Sequence, residues 1–229
     1  MKGHTMHIEP GLVDPAKMVL AYATAAGGAA VTAKFAWETI KEKGPVSLLA
    51  RTGMATAAVF VFFQVFPHFA VGISEVHFIL GSTLLLILGA APAALGLALG
   101  LLAQGVFFAP FDLPQYFANV TTLIVPLIAI KYLADKLIAR DTAYVDIKYK
   151  DALALSTAYQ GGVVLWVAFW AFYGQGFGAA TTTSVFAFGG VYMLVVLIEP
   201  LVDLAVLAGA KSMRGLAKSG LVTPRLFNA

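Results

Sequence analysis

Four histidines, His4, His7, His68 and His77, are the only imidazoles in a chain of 229 residues that has no cysteine. Without thiolates there are no disulfides, iron–sulfur clusters or zinc–thiolate sites, so a metal bound here takes nitrogen or oxygen donors. The stretch MHIEPG, residues 6–11, sets His7 directly behind Met6 near the start of the chain. A histidine capping a helix beside lipid headgroups is an equally good reading of any one of these residues. A second constellation, Glu199 and Asp203, places two carboxylates four residues apart around Pro200 in an apolar run.

The elements that must position these groups are membrane helices. The sequence is 60% hydrophobic and 12% charged, with mean hydropathy +0.85, against about a quarter charged for a soluble domain. Apolar runs at about 18–36, 47–66, 76–90, 92–109, 116–134, 152–173 and 183–209 are each of a length to cross a bilayer core of roughly 30 Å. They are too long, and lack the alternation, for barrel strands. The expected fold is all-α, a polytopic helical bundle of about seven spans forming one membrane unit over residues 1–229: an outer segment 1–16, the bundle 17–210 and a cytoplasmic tail 211–229.

Thirteen of the 15 Lys and Arg residues fall at or beside three connecting or terminal segments that seven spans place on one side. Basic residues mark the cytoplasmic face, so the N-terminus is expected outside and the C-terminus inside. All four histidines then lie on the outer side. Glu199 and Asp203 lie in the inner half of the last span, far from them. There, pairing with Lys211, Arg214 or another helix is favoured over an ion pathway. The stripe Gly96, Gly100, Gln104 and the Ala-rich first span read as close-packing faces, and the aromatics of LWVAFWAFYGQGF as a headgroup belt.

MHIEPGLV, then GISEVHFILGS with His77, LLAQGVFF, FANVTTLIVPL and VLIEPLVDLAV occur in an order that resembles the substrate-binding membrane subunits of cobalt/nickel energy-coupling-factor transporters, the CbiM/NikM type. The resemblance implies uptake of a divalent transition metal, cobalt or nickel, held near the outer surface by the N-terminal amine and the amide and imidazole of the following histidine. That makes Met6, His7 and, from the later loop, His77 the ligands. Such an all-nitrogen, near-square-planar set favours Ni(II) or Cu(II). The sequence departs from the pattern in three places, one of them Glu9 standing before Pro10 where the family has proline first. MKGHT precedes Met6, so either Met6 is the mature start or the site is rebuilt with His4 as an added imidazole. Glu75 and Val76 stand before His77 where the family has Ser and Gly, and a carboxylate there would tilt the site towards cobalt, zinc or manganese. Ser74, Gln104 and Asn119 are then candidate supporting residues that orient His77 or the N-terminal segment, with interhelical hydrogen bonding as the alternative use of the two amides.

The resemblance further implies a transmembrane coupling subunit, ATP-binding-cassette ATPases and a small accessory membrane subunit as partners in a prokaryotic plasma membrane. No phosphate-binding Gly-x-x-x-x-Gly-Lys-Ser/Thr loop occurs in the sequence, so the chain is expected to be a transport subunit rather than an enzyme, carrying its metal as substrate and no organic cofactor. A retinal protein is excluded because no lysine lies between Thr183 and Gly209 to form a Schiff base. The remaining alternative is a membrane metalloenzyme, or a metal-dependent structural membrane protein, using His7 and His77. Nucleic acid is not an expected partner, since the basic segments follow topology and carry no binding motif.

Overall fold

The computed structural model describes residue 8, residues 11–139 and residues 141–212. Its helices are α1 (Met18–Lys43), α2 (Pro45–Gln64), α3 (Gly81–Leu88), α4 (Ala90–Phe107), α5 (Tyr116–Leu137), α6 (Tyr149–Gln175) and α7 (Ala179–Ser212). Two short strands, β1 (Phe69–Val71) and β2 (Ser74–Val76), separate α2 from α3. Among the described residues six helical segments, all but α3, are long and apolar enough to cross a membrane. The chain is a multi-pass, all-α membrane bundle, and all seven helices contribute to its main cluster of buried side chains.

Local chemistry sets the breaks between helices. Gly44, at φ +81°, ends α1 in a conformation other residues resist, and Pro45 starts α2 where its missing N–H costs nothing. Lys41 and Lys43 sit in the last turn of α1, against the negative end of its dipole. Pairing of Phe69 with Val76, Ala70 with Glu75 and Val71 with Ser74 leaves a two-residue turn. Gly72 takes its first position at φ +61°, as a tight hairpin turn of the II′ kind demands.

The apolar run at 76–90 was expected as one spanning helix, and here the structure differs. Residues 77–80 have no regular structure, and α3 has eight residues, about 12 Å of helix. The segment nevertheless performs a crossing. Along the α2–α4 contact, Arg51 meets Leu88, Gly96 lies against Ala55, Gly100 against Val59 and Gln104 against Phe63. The two helices therefore run parallel, and the chain between them must return the length of the bundle. Four non-helical residues and two turns of helix reach at most roughly 25 Å. With this broken third crossing the two ends of the described chain lie on opposite faces of the bundle.

The glycine stripe on α4 is an internal seam. A Cβ on Gly96 would stand 2.3 Å from the Ala55 Cβ, and one on Gly100 would stand 2.6 Å from a Val59 methyl. Gly27 on α1 has no atom within 4 Å of its Cβ position. The aromatic stretch of α6 divides: Phe177, just beyond the helix, is exposed, whereas Trp170, expected in a headgroup belt, is fully buried and its indole donates to Thr121 on α5 at 3.1 Å. Gly96→Ala should therefore lower the thermal unfolding temperature in detergent, at a cost of about 1–3 kcal/mol for overpacking. Gly27→Ala in the same assay should leave it unchanged or raise it slightly.

Candidate functional site

At the end of the bundle where the chain begins, a small cavity lies beneath Ile8. Its lining includes Ile8, Ser74, Glu75, His77, Asn119 and Tyr192. Its volume is about 20 Å³, room for about one water-sized particle. Ser74, Glu75 and His77 come from β2 and the stretch after it, Asn119 from the first turn of α5 and Tyr192 from α7. These groups are 7% exposed or less.

Each wall of the cavity has an identifiable support. The hairpin turn presses Gly72 against α7, where a Cβ would come within 2.7 Å of the Ser184 carbonyl oxygen. The His77 ring meets the edge of Phe63, with centroids 4.6 Å apart. Its Nδ1 lies 3.3 Å from the Phe78 carbonyl oxygen. The tautomer that donates from Nδ1 carries the ligating lone pair on Nε2.

The N-terminal segment is clamped over this mouth. The backbone N–H of Ile8 donates to Asn119 Oδ1 at 3.1 Å, and the Ile8 side chain is 1% exposed. Gln175 Nε2 donates to the carbonyls of Gly11 and Leu12 at 3.0 and 2.9 Å. Gln115 Nε2 approaches the Val13 carbonyl at 3.5 Å. Lys17 Nζ donates to the carbonyls of Tyr173 and Gly174 at 2.9 Å each. Gly174 lets the segment approach, since a Cβ there would overlap the Leu12 carbonyl at 1.9 Å. Lys17 thus satisfies carbonyls at the end of α6 while its charge faces the negative end of that helix dipole.

Of the candidate residues, His77, Glu75, Ser74 and Asn119 converge on this cavity. Gln104 does not line it. Its amide donates at 3.2 Å to the carbonyl of Phe63, the residue whose ring packs on His77. Met6, His7 and His4 lie outside the described residues. His68 sits in the loop just before β1, its Nδ1 3.0 Å from the Phe66 carbonyl oxygen, and is not among the lining residues. Ile8, Thr122 and Tyr192 also line the cavity but carry no motif of their own. Tyr192 had one legible signal: a hydroxyl inside an apolar run must find a partner.

Burial, and secondly the charge of Asp112, raises the Glu75 carboxyl from 4.5 to about 8, so it is largely neutral at pH 7. A folded-state value above the unfolded one stabilises the fold fully below the unfolded pKa, and that stability is lost as pH rises through the folded value. The metal-free protein should accordingly lose thermal stability between about pH 4.5 and 8, and Glu75→Gln should flatten that part of the profile.

The sequence pattern of CbiM, described as the cobalt uptake substrate-specific transmembrane region, matches residues 7–215. No curated protein and no solved structure matched the chain.

Proposed function

This chain belongs to the CbiM family, a multi-pass membrane component of cobalt uptake, and from that premise we propose that it captures one Co(II) ion in the cavity beneath Ile8. The observation that carries the proposal is the coincidence of His77, Glu75 and Asn119 around a space of about 20 Å³, a volume suited to a single ion and too small for an organic substrate. His77 supplies an imidazole. Among the described residues no group of three or more His, Asp or Glu comes together, so the remaining donors are assigned to the N-terminal segment: Met6 through its amine when it is the mature start, and His7 through amide and imidazole. Ile8 is anchored at the cavity by Asn119, and the covalent chain puts His7 one residue, about 3.8 Å of backbone, away. If Met1 is retained, His4 joins His7 as a second imidazole. Ser74 and Asn119 then act as supporting residues.

Ni(II) is the alternative cargo, favoured by a nitrogen-rich square-planar set, whereas participation of Glu75 favours Co(II). The basic residues gather at the bundle end opposite Ile8, with Lys41, Lys43, Lys136, Lys148 and Lys211 among them. The positive-inside tendency supports reading the cavity as facing outward from a prokaryotic plasma membrane, with the C-terminus in the cytoplasm. Transport then proceeds with the metal captured from outside and the N-terminal segment as its cover. A transmembrane coupling subunit, ATP-binding-cassette ATPases and a small accessory membrane subunit supply the ATP-driven reorientation.

Titration of the purified chain with Co(II) and Ni(II) tests this reading. The protein should bind one equivalent. His77→Ala and His7→Ala should each weaken binding at least about 100-fold, the upper end of what loss of a mere supporting residue costs. One-to-one binding of unchanged affinity in both variants would refute the assigned ligand set.

A further inference from the structure

His77 stands in a stretch, residues 77–80, that no helix or strand holds. Its backbone is held from the far end of the sequence. Glu199, on α7 and 0% exposed, accepts the backbone N–H of Ile79 through Oε2 at 2.8 Å and that of Leu80 through Oε1 at 2.6 Å. Gln160 of α6 donates its amide to the same Oε1, and Gln160 Oε1 in turn accepts the Tyr192 hydroxyl at 2.9 Å. Ile79 and Tyr192 both line the cavity, so this chain of bonds begins and ends at its wall. One turn further on, Asp203 accepts the hydroxyls of Ser82, at 2.5 Å, and Thr83.

Two physical facts make Glu199 more than a packing residue. First, the N–H groups it satisfies lie at the start of a helix that begins inside the bundle, where no water replaces a lost partner. Second, Leu80 is held at φ +52°, the one non-glycine residue with positive φ among the described residues. A leucine in that region needs its surroundings to hold it there. A carboxylate bridging Ile79 and Leu80 fixes the backbone two and three residues from His77, and with it the position of the imidazole.

We infer that Glu199 is a positioning residue for the metal site: by clamping the Ile79 and Leu80 amides, it sets His77 at the distance and angle that metal capture requires. The inference rests on the reading of His77 as a ligand. Glutamine at position 199 cannot reproduce the clamp, because one of its two terminal atoms is itself a donor and would face a backbone N–H or the Gln160 amide.

The test compares purified Glu199→Gln, His77→Ala and Ser82→Ala with the unaltered chain. Each is titrated with Co(II) and Ni(II), the d–d absorption spectrum of the loaded protein is recorded, and thermal unfolding is followed without metal. Glu199→Gln should weaken binding about tenfold or more, the usual scale for a residue that orients a ligand, and should shift the spectrum towards that of His77→Ala. Ser82→Ala disturbs the same helix start without touching the clamp. It should lower the unfolding temperature while leaving affinity and spectrum in place. A Glu199→Gln protein that is less stable but binds with unchanged affinity and spectrum would overturn the inference while His77→Ala still showed loss. Unchanged binding in His77→Ala would instead overturn the ligand assignment beneath it. Should Glu199→Gln fail to give a monodisperse protein, Glu199→Asp, whose carboxylate is one methylene too short to reach both the Ile79 and Leu80 amides, replaces it. A severalfold loss of affinity with a shifted spectrum is then expected, and unchanged values count against the inference.

Discussion

A chain that crosses a membrane without completing a helix must find partners for the backbone groups the missing turns leave open. In this bundle the obligation falls on the residues before α3, and one carboxylate of α7 meets it for two of them while a second holds side chains of α3. Glu199 takes two backbone N–H groups and Asp203 two hydroxyls, across 119 to 121 residues of sequence. Because that crossing is broken, the stretch before α3 is irregular, and His77 is presented to a cavity rather than buried in a helix face. The pairing of α2 with α4 in parallel, the return of the chain between them and the position of the site all depend on this solution.

The mouth of the site is built by the opposite strategy. Among the described residues its N-terminal cover contains no α-helix before Met18; Gln175 and Gln115 of the bundle donate to its carbonyls, and its own Lys17 donates to the carbonyls of Tyr173 and Gly174. Asn119 meets the Ile8 amide. These contacts sit at helix ends, near the membrane boundary, where such bonds are individually modest. A segment held by a few bonds of this kind, over a space for one ion, suits capture followed by release better than permanent metal storage.

Much of this was legible in the sequence. The apolar runs located the six long helices, because twenty apolar residues without charge leave little else to form. The glycines of α4 signalled a close seam, and the family-like stretches pointed to His77. Residues 76–90 were misread in form because hydropathy does not distinguish an extended apolar stretch from a helical one. The group that holds the non-helical stretch, Glu199, lies more than a hundred positions away. The carboxylates themselves were visible, and a structural role was the favoured reading, with Lys211, Arg214 or another helix as the expected partner; other helices supply it. The actual partners are amides and hydroxyls. Lys211 instead donates to the Val145 carbonyl. The same limit hid the aromatic packing: composition put Trp170 in the headgroup belt, whereas Thr121 gives its indole a buried partner.

The most direct test of the central claim is anomalous diffraction at the cobalt edge from crystals of the chain loaded with Co(II). The account predicts one strong peak in the cavity between Ile8, His77 and Asn119, within about 2.0–2.2 Å of a His77 imidazole nitrogen. A peak elsewhere, beside Glu199 and Asp203 for instance, with the cavity beneath Ile8 empty, would contradict it.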